Sequence, residues 1–146
     1  MRYQSLKAGC GPTALANALE LYGIKRTEDE VAKLCGTTSA GTDHTGIVSA
    51  LQNVGKYHGV IETKNASGAR DALHYAICYG RPVICCVDNW DHWVVAAGQL
   101  GERLLVLDSA STELCLVYPL TGVGGFTDRW LKNAKRGGGY YGIIVG

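Results

Sequence analysis

Residues 4–15 read Gln4-Ser-Leu-Lys-Ala-Gly-Cys10-Gly-Pro-Thr-Ala-Leu15, a short loop running into an apolar, helix-forming stretch with a cysteine at the junction. A thiol in the first turn of a helix meets the positive end of the macrodipole and backbone N–H groups that have no helical partner. Both favour the thiolate, the form that attacks electrophilic carbonyls. Gln4, six residues before the cysteine, can offer its amide N–H₂ to an oxyanion forming beside the sulfur. On its own a cysteine at a helix start reads as a small buried hydrophobe.

Two later stretches change that weighting. Asp91-His92-Trp-Val-Val-Ala-Ala97 opens a strand with a histidine, and Leu104-Leu-Val-Leu-Asp108 closes one with a carboxylate. If the two strands form a hairpin, residues near position 92 lie opposite residues near 107 or 108, which brings imidazole and carboxylate close. Cys10, His92 and Asp108, with Gln4 ahead, are then nucleophile, base, orienting group and oxyanion donor. Singly, His92 reads as a satisfied strand-end histidine, Asp108 as a turn former before Ser109, and Gln4 as a solvated terminal residue. Four suitable types in order outweigh those separate readings. Asp88 and Asp91 are rivals to Asp108, but they share the turn of His92 and reach its far nitrogen poorly. His44 falls at a helix start and can line a cleft from the opposite wall; His58 reads as solvated loop and His74 as helix surface. Trp90 is a candidate cleft wall, Trp93 a core residue by alternation, and Trp130 the apolar face of the last helix.

At 146 residues, 47% apolar and 18% charged, the chain is long enough for one packed core and is not disordered. Fourteen basic against thirteen acidic residues leave a formal charge of +1, and no basic stripe with interleaved aromatics points to nucleic acid. The longest apolar stretch, Pro82 to Val87, is too short to span a bilayer, and residues 1–7 lack a signal-peptide core; the expectation is a cytoplasmic protein with no membrane segment. Cys35, Cys78, Cys85, Cys86 and Cys115 lie in apolar periodic segments without zinc-ligand spacing. They are expected as reduced structural thiols beside one reactive one, with no metal and no cofactor.

Helical spacing predicts helices from Gly11 to Tyr22, from Asp29 to Leu34 after a Thr27-Glu-Asp-Glu30 capping box, through Ile47, Val48, Leu51 and Val54, and, preceded by Ser67, one carrying Ala69, Leu73, Ala76 and Ile77 and ending at Gly80. After Pro82 the period changes to strands at Val83–Val87, Trp93–Ala97, Leu104–Leu107, Leu114–Val117 and Tyr140–Val145. Gln99-Leu-Gly-Glu102 reads as the connection between the second and third of these, and a short helix is expected from Thr127 to Ala134. The fold class is therefore α+β, a helical first half on an antiparallel sheet from the second half, as one domain over residues 1–146.

The pattern Gln4-x₅-Cys10-Gly-Pro-Thr-Ala-Leu, Gly41-Thr, Asp-His92-Trp-Val-Val, Val-Leu-Asp108 and Phe126-x₃-Trp130 resembles the bacteriocin-processing, double-glycine leader peptidases of the papain clan. The resemblance implies a papain-like fold and a cysteine peptidase with Cys10 as nucleophile, His92 as base, Asp108 as orienter and Gln4 as oxyanion donor. It also implies a channel next to the scissile bond too narrow for side chains, walled here by Trp90, Asn89 and the Gly9-Cys10-Gly11 turn. Its partners would be a peptide or protein substrate and, as in the exporters that carry such domains, an ABC transporter. Ser109 stands where the family has proline after the aspartate, and Gly9 where many exporters have aspartate before the cysteine. Acyl transfer through the same intermediate, and non-catalytic peptide binding on the same fold, are the alternatives.

Overall fold

Every residue from Gly11 to Leu19 is buried, so the helix they form, α1 (Cys10–Glu20), is a core element and has no solvent face. It starts without a side-chain cap: Gly9 holds the N-cap position, and no acidic residue stands in the first turn. By contrast α2 (Glu28–Cys35) carries the complete capping box, Glu30 N–H to Thr27 Oγ1 at 3.2 Å and Thr27 N–H to Glu30 Oε2 at 2.8 Å. The third helix, α3 (His44–Asn53), crosses α2 so closely that a Cβ on Gly46 would lie 2.0 Å from the Cys35 carbonyl oxygen. The computed structural model describes residues 8–88, 90–111, 115–131 and 139–146.

Beyond α3 follow β1 (Tyr57–Thr63), α4 (Ala66–Cys78), β2 (Val83–Val87), β3 (His92–Leu100), β4 (Arg103–Leu107), β5 (Cys115–Pro119), α5 (Phe126–Leu131) and β6 (Tyr140–Val145). The six strands make one antiparallel sheet in the order β1-β6-β2-β3-β4-β5. β2 is a continuous apolar run because both of its faces are covered. Ile84 and Cys86 join α1–α3 in one cluster, while Val83, Cys85 and Val87 join α4 and α5 in the other. Adjacent Cys85 and Cys86 thus point to opposite faces, as alternation requires.

The α+β reading holds, with three local corrections. His58, expected in a solvated loop, lies instead in the edge strand β1, which pairs with β6. Only Ile61 of β1 is buried, and Gly59 sits at a register shift, so no two-residue period marks it. α4 begins earlier than Ser67, because Asn65 Oδ1 takes the Gly68 N–H at 2.8 Å and caps it. Cys78 and Cys115 are exposed and not packed in apolar interior. Leu114 and residues 132–134, the start of one predicted strand and the end of the last predicted helix, lie outside the described residues. Among the described residues no helix is long and apolar enough to cross a membrane.

Candidate active site

The uncapped start of α1 puts Cys10 in its first position, with backbone N–H groups that no side chain covers. Gly11 brings this end against the loop before α3: a Cβ there would lie 2.7 Å from Thr42 Cβ, so glycine is what lets the two segments touch. Burial of the Cys10 thiol opposes ionisation. The His92 hydrogen bond, the Trp93 backbone N–H, the imidazole charge and the Gly11 N–H together outweigh it and hold the thiol below its ordinary 9.0.

His92 stands at the first position of β3, paired with Val87 across the β2–β3 turn. Its Nε2 lies 2.7 Å from Asp108 Oδ1, a charge-assisted length, with side chains 12% and 5% exposed. The carboxylate only accepts, so Nε2 carries the proton, which leaves Nδ1 for the thiol. Burial works against a charged ring, but Asp108 and Cys10 raise His92 to about 9. Asp108 falls to about 2: burial opposes this, and the bonds from His92, the Ala110 N–H and Arg129 more than offset it. Cys10 and His92 therefore lean toward a thiolate–imidazolium pair.

The hairpin expectation is right in outcome and wrong in register. The last β3–β4 pair is Val95 opposite Leu107, and a shift between Ala96 and Gly98 slides the strands by one residue. His92 and Asp108 are not cross-strand partners; their side chains meet past the end of the ladder. The loop after β4 fixes Asp108 there, with the Ala110 N–H on Oδ1 at 3.1 Å and the Ser111 N–H on the main-chain oxygen at 3.3 Å.

A cavity of about 310 Å³ has Gly41, Thr42, His44, Trp90 and Trp93 in its wall; Cys10, His92 and Asp108 are not among its described lining, and the close approach of Gly11 to Thr42 links it to the start of α1. Trp90 stacks on Tyr141 at 5.2 Å between centroids, and His44 meets Tyr141 edge-on at 5.3 Å. Trp93 Nε1–H donates to the Thr42 carbonyl at 3.2 Å, so this core residue also builds the cavity wall. The structure thus gathers Cys10, His92 and Asp108, with Gly11 beside the cysteine, while Trp90 and His44 stand together in the cavity wall. Gln4 and Asn89 lie outside the described residues.

One neighbour was missed in the sequence. Arg129 of α5 places Nη1 2.9 Å from Asp108 Oδ2 and grips Asp88 with Nε at 2.9 Å and Nη2 at 2.7 Å. Asp88, weighed as a rival for the histidine, is bound to this guanidinium instead. Asp88 and Trp90 have φ of 55° and 69°, left-handed values that disfavour side chains, so the turn leading to His92 is strained. No periodicity marks a lone arginine in a helix that buries Phe126 and Trp130 around it.

Similar solved structures share this architecture. The peptidase domain of Streptococcus ComA, described as a bi-functional ABC transporter involved in quorum sensing, superposes with TM-score 0.70 at 17% identity over 99% of this chain and 95% of that one. A double glycine motif protease from an AMS/PCAT transporter, solved with its leader peptide, gives 0.65 at 19% identity, covering 98% and 88%. A C39-like peptidase from Bacillus anthracis gives 0.71 at 15%, covering 100% and 94%. The fold is that of C39 peptidase domains. The profile of the Peptidase_C39 like family matches residues 1–137, and the chain belongs to that family. Two uncharacterized proteins, from Methanothermobacter thermautotrophicus and Methanothermobacter marburgensis, are 42% and 40% identical over 52 residues. This chain spans 37% of the length of each.

Proposed function

We propose that this chain is a papain-like cysteine peptidase that works through Cys10, His92 and Asp108. The observation that carries the reading is the 2.7 Å bond from His92 Nε2 to Asp108, with the other ring nitrogen left to a thiol at an uncapped helix start. The Cys10 thiolate attacks the scissile carbonyl and forms a C–S bond, while the oxyanion takes the Cys10 backbone N–H and the Gln4 amide. The imidazolium gives its proton to the departing amine. Water then attacks the thioester with His92 as base, releasing the acid and restoring the thiolate. Asp108 keeps Nε2 protonated throughout.

The finer reading is cleavage after two glycines, in a channel walled by Trp90, Asn89 and Gly11, on a leader peptide in the cytoplasm and in association with an exporter. Its support is the description of two of the similar structures as exporter peptidase domains or double glycine proteases. Iodoacetamide at mildly acidic pH should label Cys10 ahead of exposed Cys78 and Cys115 in intact-protein mass spectrometry, and Cys10→Ala should remove both that adduct and peptide cleavage. Equal labelling of the three thiols overturns the mechanism. A Gly-Gly peptide should exceed its Ala-Ala twin in kcat/KM by more than the roughly 10–200-fold that one methyl contact supplies. Comparable rates would remove the double-glycine assignment and leave the peptidase.

A further inference from the structure

Arg129 uses four donor directions on three side chains. Nε and Nη2 hold both oxygens of Asp88, and Nη1 serves Asp108 Oδ2 at 2.9 Å and the Tyr118 hydroxyl at 3.3 Å. Its main-chain oxygen also accepts the Asp88 N–H at 3.3 Å, so α5 is tied to the β2–β3 turn by backbone and side chain. Asp88 opens that turn, and His92 follows four residues on. One guanidinium therefore grips both supports of the imidazole, the turn that delivers it and the carboxylate it leans on.

We infer that Arg129 is a positioning residue for His92, acting through Asp88 and Asp108; the inference rests on the peptidase reading for its meaning in catalysis. Terminal carboxylate torsions are broad, and Asp108 Oδ1 is already shared between His92 and the Ala110 N–H. Without Nη1 on Oδ2 the carboxylate is free to rotate away from the ring. Without the fork on Asp88, a turn with two left-handed side-chain-bearing residues loses its side-chain tie to α5 and keeps the main-chain one. The groups that meet the guanidinium are Asp88 from the turn, Asp108 after β4 and Tyr118 from β5; Asp108 in turn meets His92, and His92 meets Cys10 from α1, while Asp91 and Asp128 are exposed. The planar fork is what the geometry uses, so lysine is not its equivalent.

The test measures iodoacetamide labelling of Cys10 against pH, together with kcat and KM for a cleaved peptide. Arg129→Gln should move the acid limb of labelling up by about one pH unit, tenfold in rate on its acid side. It should lower kcat by roughly 10–100-fold, the scale for hydrogen-bond partners that orient metal-ligating histidines, with KM near its original value. Arg129→Lys should recover only part of the loss. Asp88→Asn, which tolerates the left-handed backbone, should shift labelling in the same direction by less, and its combination with Arg129→Gln should add little. An unmoved labelling profile in both single variants overturns the inference, as do additive losses in the double variant. If the unaltered protein cleaves no peptide, the peptidase reading falls while the labelling profiles still decide the role of Arg129.

Discussion

At the scale of single residues, His92 and Cys10 are displaced in opposite directions, His92 by Asp108 and then Cys10 against its burial, and Cys10 chiefly by His92 against its own. The thiol is held below its ordinary range and the imidazole rises to about 9, so the ion pair persists between the two titrations. Cleavage should follow a bell-shaped pH profile whose acid limb reports Cys10 and whose alkaline limb falls near 9. Asp108→Asn preserves shape but removes the charge that fixes the Nε2 proton. It should lower kcat/KM by roughly three to four orders of magnitude and bring the alkaline limb to lower pH. Near-full activity in that variant would pass the orienting role to Asp91, since Asp88 is engaged by Arg129.

At the scale of elements, the contrast between α1 and α2 divides stability from chemistry. α2 satisfies its first N–H groups with its own capping box, whereas α1 leaves them to the thiol. The cradle for α1 depends on α2 and α3 packing at backbone contact through Gly46. Gly46→Ala would place a methyl 2.0 Å from the Cys35 carbonyl, an atom that cannot swing aside. It should destabilise the fold by about 3 kcal/mol, the upper part of the overpacking range. A denaturant-unfolding midpoint unchanged from that of the original chain would show that the two helices slide freely, contrary to this packing.

For the whole molecule, the same charges set how stability varies with pH. Asp108 falls from 3.8 to about 2 on folding, so its contribution is complete above 3.8 and is lost as pH falls through 2. His92 rises from 6.5 to about 9, so its contribution is complete below 6.5 and is lost as pH climbs through 9. Stability from this pair should therefore hold a plateau from roughly pH 4 to 6.5 and decline on both sides. Asp108→Ala should flatten the acid decline and reduce the alkaline one, read as denaturant midpoints at about pH 3, 5 and 9. An acid decline as steep in the variant as in the original chain would assign it to other carboxylates.

Local signals made much of this protein legible without coordinates. The glycine–cysteine–glycine–proline start of α1, the Thr27–Glu30 capping box, the unbroken apolar run of β2 and the strand signals flanking His92 and Asp108 each depend on neighbours a few residues away. That is the range over which helix and strand periods act. Long-range pairing decided the rest. β1 is a strand only because β6, more than seventy residues later, pairs with it, and the shift at Ala96–Gly98 exists only in the β3–β4 ladder. The Arg129 link joins residues 41 and 21 positions apart. Periodicity records which face of an element is buried, but a directed bond between charges from different elements leaves no period. The residues that do the proposed chemistry could thus be named from the chain, while the one that holds them in place emerged only when α5 packed against the turn.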